Sequence, residues 1–186
     1  MKKYEFTGET KVLFGRTLHQ IRALVDIEIF DIKKGDVGGF IEKEDNLSQD
    51  GNAWVYGNAE VSGNAEVSGD ARVSGDARVY GDARVYGNAR VYGNARVSGD
   101  ARVYGNARVY GNARVHGDAD YTTIKGFGTC FRTTTFFRCK DKLVRVVCGC
   151  FYGTIPEFRE QVKQTRDGKV AEEYLMIADL MEKHFE

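Results

Sequence analysis

The chain is poor in several features that mark common functional classes. Its 186 residues include one proline, one tryptophan, three histidines and four cysteines, and 27 basic residues balance 27 acidic ones. Net neutrality argues against a dedicated DNA or RNA binder, which carries a basic excess. No run of 18 or more apolar residues occurs, so no membrane-spanning helix is expected. The start, Met1-Lys-Lys-Tyr-Glu-Phe-Thr-Gly-Glu9, lacks an apolar core segment, so no secretory signal is expected and a cytoplasmic setting follows by default. His19, His116 and His184 are too scattered to suggest a zinc site. The cysteines, Cys130, Cys139, Cys148 and Cys150, lack the paired ligand spacing of about two to four residues. They read as buried free thiols rather than disulfides or metal ligands.

Glycine, by contrast, is abundant and periodic. Twelve glycines recur every six residues from Gly51 to Gly117, around a unit Gly-Asn/Asp-Ala-Arg/Glu-Val-Tyr/Ser. Ala and Val stand two apart and face inward, while Arg and Tyr face outward. The Gly-Asn/Asp pair supplies a corner, because both types tolerate unusual backbone angles. A six-residue strand-plus-corner resembles the hexapeptide repeat of left-handed parallel β-helices, in which three units make one triangular coil. The array then predicts about four coils, a prism about 20 Å long. Outward residues 18 apart should form ladders. Trp54, Arg72, Arg90 and Arg108 stack beside Tyr56, Ser74, Tyr92 and Tyr110; Glu60, Arg78, Arg96 and Arg114 form a second ladder; Glu66, Arg84, Arg102 and Asp120 form a third. The array holds eight arginines and eight acidic residues, so it is patterned and neutral.

Three segments follow: an N-terminal β cap (1–50), the repeat (51–120) and a C-terminal ββαα cap (121–186). In the first, two short strands flank Gly15-Arg16, and Ile41 and Leu47 fall in six-residue phase with Ala53, so the coil is expected to begin near residue 39. In the last, Phe131–Arg138 and Leu143–Cys148 read as a hairpin. Thr154-Ile-Pro-Glu157 is a capping box opening a helix, and Tyr174, Ile177, Ala178, Met181 and Phe185 mark the buried stripe of a second helix.

Two groups of side chains are candidates for binding. The corner Cys148-Gly-Cys-Phe-Tyr-Gly-Thr154 leads into a helix N-terminus, where free N–H groups favour anions. Arg132, Arg138, Lys140 and Arg145, with Cys150, Tyr152 and Thr154, are the residues expected to hold a phosphate-bearing ligand there; a plain strand–turn–helix corner is the competing reading. Arg72, Arg90, Arg108, Tyr92 and Tyr110 form the expected protomer interface of a homotrimer, since Arg and aromatic residues are enriched at such surfaces. An acyltransferase would need a histidine base. His116 merely replaces Tyr or Ser in a ladder, and no loop inserts into the array to build a donor pocket.

The stretches Tyr4-Glu-Phe-Thr-Gly-Glu-Thr10, Leu18-His-Gln-Ile-Arg-Ala-Leu24, Lys34-Gly-Asp-Val-Gly-Gly-Phe-Ile-Glu42 and Asn46-Leu-Ser-Gln-Asp-Gly-Asn-Ala-Trp-Val55 resemble a family of hexapeptide-repeat proteins widespread in phages and prophages. Cys148-Gly-Cys-Phe-Tyr-Gly-Thr-Ile-Pro-Glu-Phe158 and Glu173-Tyr-Leu175 match the same family. The resemblance implies a phage-type accessory protein with a β-helix body; it carries over no activity residue by residue. With no catalytic set visible, the leading expectation is a non-enzymatic binding protein acting in the infected cell's cytoplasm. It would blunt host defence by sequestering a nucleotide-like signal or occluding a defence protein, with no cofactor, metal, nucleic acid or membrane involved. A virion or scaffold component and an acyltransferase-like enzyme are the alternatives.

Overall fold

A computed structural model describes residues 2–186. The chain opens with a hairpin of β1 (Tyr4–Leu13) and β2 (Arg16–Ala23), followed by β3 (Val37–Ile41). Eleven two-residue strands then recur every six residues: β4 (Trp54–Val55), β5 (Glu60–Val61), β6 (Glu66–Val67), β7 (Arg72–Val73), β8 (Arg78–Val79), β9 (Arg84–Val85), β10 (Arg90–Val91), β11 (Arg96–Val97), β12 (Arg102–Val103), β13 (Arg108–Val109) and β14 (Arg114–Val115). They stack as a parallel β-solenoid of about four turns with three faces, β3-β5-β8-β11-β14, β4-β7-β10-β13 and β6-β9-β12.

The repeat makes this fold for reasons visible in each position. From Ala53 to Val115 every array Val and Ala is buried, filling the interior with one small and one branched side chain per face. Backbone groups pair between tiers, as in Arg90 N–H to Ala107 O at 2.9 Å and Tyr92 N–H to Val109 O at 3.0 Å. Most corner glycines are required twice over. Gly75 has φ +68, and a Cβ there would stand 3.1 Å from Gly93 N in the next tier. Beside them, corner side chains couple tiers, with Asn52 Nδ2 donating to Asp70 Oδ1 at 2.7 Å and Asn64 to Asp82 at 3.0 Å.

The outward ladders have the expected 18-residue register, Trp54↔Arg72↔Arg90↔Arg108 among them. The ends depart from it. Ile41 pairs with Val61, and Leu47 bridges Val67, so both occupy the valine slot rather than the phase of Ala53. The 20-residue offset places two surplus residues between Leu47 and Val55, and the first turn starts at β3. Trp54 is buried beneath Tyr4 rather than displayed outward. Asp120 leaves the third ladder for a single helical turn, where its carboxylate accepts from His116 N–H at 2.8 Å.

Both ends are closed. At the first tier, the Asn46 amide donates to Gly63 O at 3.1 Å and Ala65 O at 2.7 Å, and Lys3 Nζ donates to Ala53 O at 2.9 Å. Burial lowers the Lys3 pKa to about 8, with Asp50 opposing. The far end is covered by an antiparallel meander, β15 (Tyr121–Phe127), β16 (Arg132–Arg138), β17 (Val144–Cys148) and β18 (Phe151–Thr154), and by α1 (Ile155–Thr165) and α2 (Gly168–His184). The C-terminal unit therefore has four strands where the sequence suggested two. One sheet face, with Phe137 and Val147, plugs the solenoid; the other, with Phe136 and Val146, packs on Phe158, Ile177 and Met181 of the helices. Among the described residues, no helix is long and apolar enough to cross a membrane.

Candidate functional site

The expected ligand residues are divided by the C-terminal sheet. Arg132 and Arg138 occupy opposite ends of β16, about 20 Å apart at strand spacing. Arg138 is engaged internally: it donates to Phe185 O at 2.6 Å, lies 3.5 Å from Asp120 and stacks over the Phe185 ring. Thr154 caps α1, and its own Glu157 fills the helix N-terminus, accepting from Thr154 N–H at 2.7 Å. That bond, followed by the Thr154 hydroxyl, holds the Glu157 carboxyl below the usual carboxylate range. The anion expected at this corner is thus one the chain supplies itself. Lys140, Arg145 and Tyr152 do gather, in a hollow with Asp141, but that carboxylate pairs with Arg145 at 2.7 Å. Cys150 is exposed in the β17–β18 turn. Cys130 is exposed too and Cys148 half-buried, so of the four free thiols only Cys139 is buried as expected.

The chain's own caps touch the expected interface residues at both ends, while Arg90 and Arg108 stay exposed. Arg72 lies 3.9 Å over the Phe30 ring of the loop between β2 and β3. Tyr92 and Tyr110 stack at 4.6 Å, and Tyr110 in turn packs on Tyr152 and Phe137 of the C-terminal sheet. Burial raises the Tyr92 pKa, and that of Tyr110 to about 12. The ladder left open is on the β6-β9-β12 face, where Tyr86 and Tyr104 stack at 5.4 Å with more than a third of each exposed.

A different set of residues converges. Between the β10–β13 ladder and the tip of the β15–β16 hairpin lies a hollow of about 410 Å³. Arg90, Arg108 and the corner amides of Asn88 and Asn106 form its solenoid wall; Lys125, Phe131 and Arg132 form the opposite one. The wall is set by Arg108 N–H, which donates to Thr135 Oγ1 of β16 at 3.1 Å. Gly149 packs so tightly on Arg132 that any Cβ would displace the guanidinium. Phe131, at the hairpin turn, has φ +47 and is largely exposed. That left-handed conformation is costly for an aromatic residue and holds the ring at the rim.

The electrostatics are one-sided. No carboxylate lines the hollow. Among the described residues, none of its four cations is in an ion pair. Arg90 and Arg108 are register partners one tier apart, about 4.8 Å. Burial, then the Arg72 and Arg108 charges, lowers the Arg90 pKa. Such a cluster binds an anion, most strongly one whose oxygens accept two guanidinium N–H groups at once. Arg90, Arg108 and Arg132 were singled out from sequence, but in different groups; Lys125 and Phe131 were missed.

Catalytic geometry is sparse by comparison. His116 Nδ1 lies 3.1 Å from Ser98 Oγ, and Ser98 is buried. Among the described residues, no three His, Cys, Asp or Glu side chains are grouped to hold a metal.

A family model described as the YdcK beta solenoid repeat matches the array in overlapping windows, residues 65–81, 71–87, 77–91, 83–99, 89–104 and 101–117. The array is a β-solenoid repeat. The match spans the middle of the solenoid and neither cap, and the residues of the hollow that come from the C-terminal sheet lie outside it. No curated protein matches the chain.

Proposed function

We propose that this protein is a non-enzymatic binding protein that holds a nucleotide-like anion between Arg90 and Arg108 on one side and Lys125 and Arg132 on the other. The observation that carries this reading is the convergence of four unpaired cations on one hollow with no carboxylate in its lining. The exposed Phe131 ring at its rim offers a stacking surface for a base. The volume of about 410 Å³ suits a small ligand.

The resemblance to phage hexapeptide-repeat proteins supplies the setting. In that reading the protein is phage-encoded, acts in the cytoplasm of the infected cell and withdraws a nucleotide signal from host antiviral defence. A homotrimer, if formed, uses the open β6-β9-β12 face, since the caps cover parts of the other two. The same face is the surface available for occluding a defence protein. Capped ends argue against growth into a rod, because side chains of Lys3, Asn46, Asp118 and Thr135 occupy backbone groups of the terminal tiers.

Native mass spectrometry of the purified protein with a pool of linear and cyclic nucleotides tests the reading. A retained adduct, one per chain, is the expected result, and its mass names the ligand. A clean spectrum at every salt concentration compatible with the measurement overturns it.

A further inference from the structure

A second hollow, on another face, has a chemistry of its own. The β1–β2 hairpin runs past the end of β3 and overhangs the β5-β8-β11 ladder, enclosing about 350 Å³. Its roof is the tip, Leu13 and Phe14; its floor is Arg78, Tyr80, Arg96 and Glu60. The turn is made by Phe14 at φ +48 and Gly15 at φ +78, the positive pair that a two-residue hairpin needs and that an aromatic residue adopts only under strain. The strained ring is left 85% exposed, with the Arg78 guanidinium 5.9 Å from its centroid.

Charge in this hollow is partly paired from within. Glu60 receives Lys11 and Arg78, each at 2.8 Å, and Glu42 receives Arg16 at 2.8 Å. A 2.6 Å bond from Gly63 N–H, and then Arg16, holds the Glu42 carboxyl below its usual range. Arg96 is the lining cation with no carboxylate partner among the described residues. Its ladder neighbours, Arg78 and Arg114, add like charge on both sides. The space beneath the hairpin is therefore bounded by apolar and aromatic groups, by cations that share carboxylates and by Arg96, which has none.

The geometry points to a binding site for a small amphipathic acid, an aromatic or alkyl body carrying one negative charge, with the body under Phe14 and the charge on Arg96. Such a ligand covers the exposed ring and relieves the Arg78–Arg96–Arg114 repulsion. Nothing in this inference depends on the ligand of the other hollow.

The probe is 8-anilinonaphthalene-1-sulfonate, an aromatic body with one sulfonate. The folded full-length chain is expected to bind one molecule with enhanced fluorescence, displaced by decanoate but not by inorganic phosphate. Phe14→Gly suits the positive φ and removes the ring; Arg96→Gln removes the charge and leaves the ladder. Each is expected to weaken binding at least about tenfold, as loss of a buried charge-assisted contact or an aromatic wall does, with the circular dichroism spectrum unchanged. Arg132→Gln, in the other hollow, is expected to bind the probe as the wild type does. Wild-type protein that leaves the probe dark, displacement by phosphate, either Phe14→Gly or Arg96→Gln binding normally, or loss on Arg132→Gln overturns the proposal.

Discussion

Two hollows in this molecule are built the same way and charged differently. Each lies between an arginine ladder and an overhanging hairpin whose turn holds a phenylalanine at positive φ, Phe14 in one and Phe131 in the other. Under the N-terminal hairpin, Glu60 pairs with Arg78 and Lys11, and Glu42 pairs with Arg16. Under the C-terminal hairpin the ladder arginines stand against further cations, Lys125 and Arg132. A repeating scaffold presents the same outward slots on every face. The difference between a partly paired and an unpaired set of cations comes from where a carboxylate enters the ladder and from what the cap brings to it. Glu60 follows Phe40 in one ladder; the other starts with Trp54, which is buried and leaves its arginines without a carboxylate partner.

The largest effect is expected from removing the contrast at its cationic end. Arg108→Gln with Arg132→Gln takes one charge from each wall. At about 1.5–3 kcal/mol per charged hydrogen-bonding group, the pair is expected to weaken nucleotide binding by two to four orders of magnitude in calorimetric titration. Stability should change little, since neither side chain is in an ion pair among the described residues. An unchanged affinity would place the ligand elsewhere.

Glu60→Gln breaks the comparison from the other side. It frees Lys11 and Arg78 and takes the one carboxylate out of the lining of the N-terminal hollow. Inorganic pyrophosphate, which the wild-type hollow should reject, is expected to bind there about tenfold better at low ionic strength, and thermal unfolding should show a loss of about 1–3 kcal/mol from the broken half-buried pairs. Raising salt from 0.01 M to 1 M should erase the gain, because the screening length falls from about 30 Å to 3 Å.

How much of this was legible in the sequence divides along the same line. The six-residue glycine period gave the solenoid, its turn count and its ladder register, because every tier meets the same neighbours. Departures lie where a tier meets a cap. The two surplus residues after Leu47, the burial of Trp54 and the exit of Asp120 have no signature in the repeat itself. Strand β15 did carry one, the β-branched and aromatic run Tyr121-Thr-Thr-Ile124, masked by its place at the end of the array. The helix-corner anion site had a sound local logic, yet Glu157 satisfies it from within the capping box. Both hollows depend on where hairpins fold back over a ladder. Arg108 and Arg132 are brought together by the Thr135 contact to the last tier, a tertiary event that spacing along the chain does not encode.

Alkaline titration sharpens the comparison on the C-terminal side. Burial raises Tyr92, Tyr152 and Tyr110, the last to about 12. A phenol whose folded pKa is raised stabilises the fold fully below its unfolded value near 10. Above that, the unfolded chain sheds the proton first and stability falls until the folded group titrates. Stability is thus expected to decline between pH 10 and about 12. Tyr110→Phe should make the decline shallower in denaturant melts, while Phe14→Gly should leave its slope unaltered.

A carboxylate can be placed in the cationic hollow at little cost to the fold, because the repeat already uses one at equivalent corners. Asp70, Asp76, Asp82 and Asp100 stand where Asn106 does in their own units. Asn106→Asp is therefore expected to keep the melting temperature within a degree or two and to lower nucleotide affinity about fivefold, the effect of one like charge near a solvated anion at about 1 kcal/mol. The smallest change tests what the two hairpins share. Phe131→Gly removes the stacking ring and relieves the left-handed strain at once, so its two effects have opposite signs. Relief of about 1 kcal/mol of backbone strain is offset in part by the greater freedom of glycine in the unfolded chain. The net gain corresponds to a rise in melting temperature of about 1–3 °C for a chain of this size. Affinity for a nucleotide should fall while affinity for pyrophosphate, which has no ring to stack, stays put. If both ligands weaken alike, Phe131 only shapes the wall; if neither does, the base lies outside the hollow and the cations bind phosphate alone.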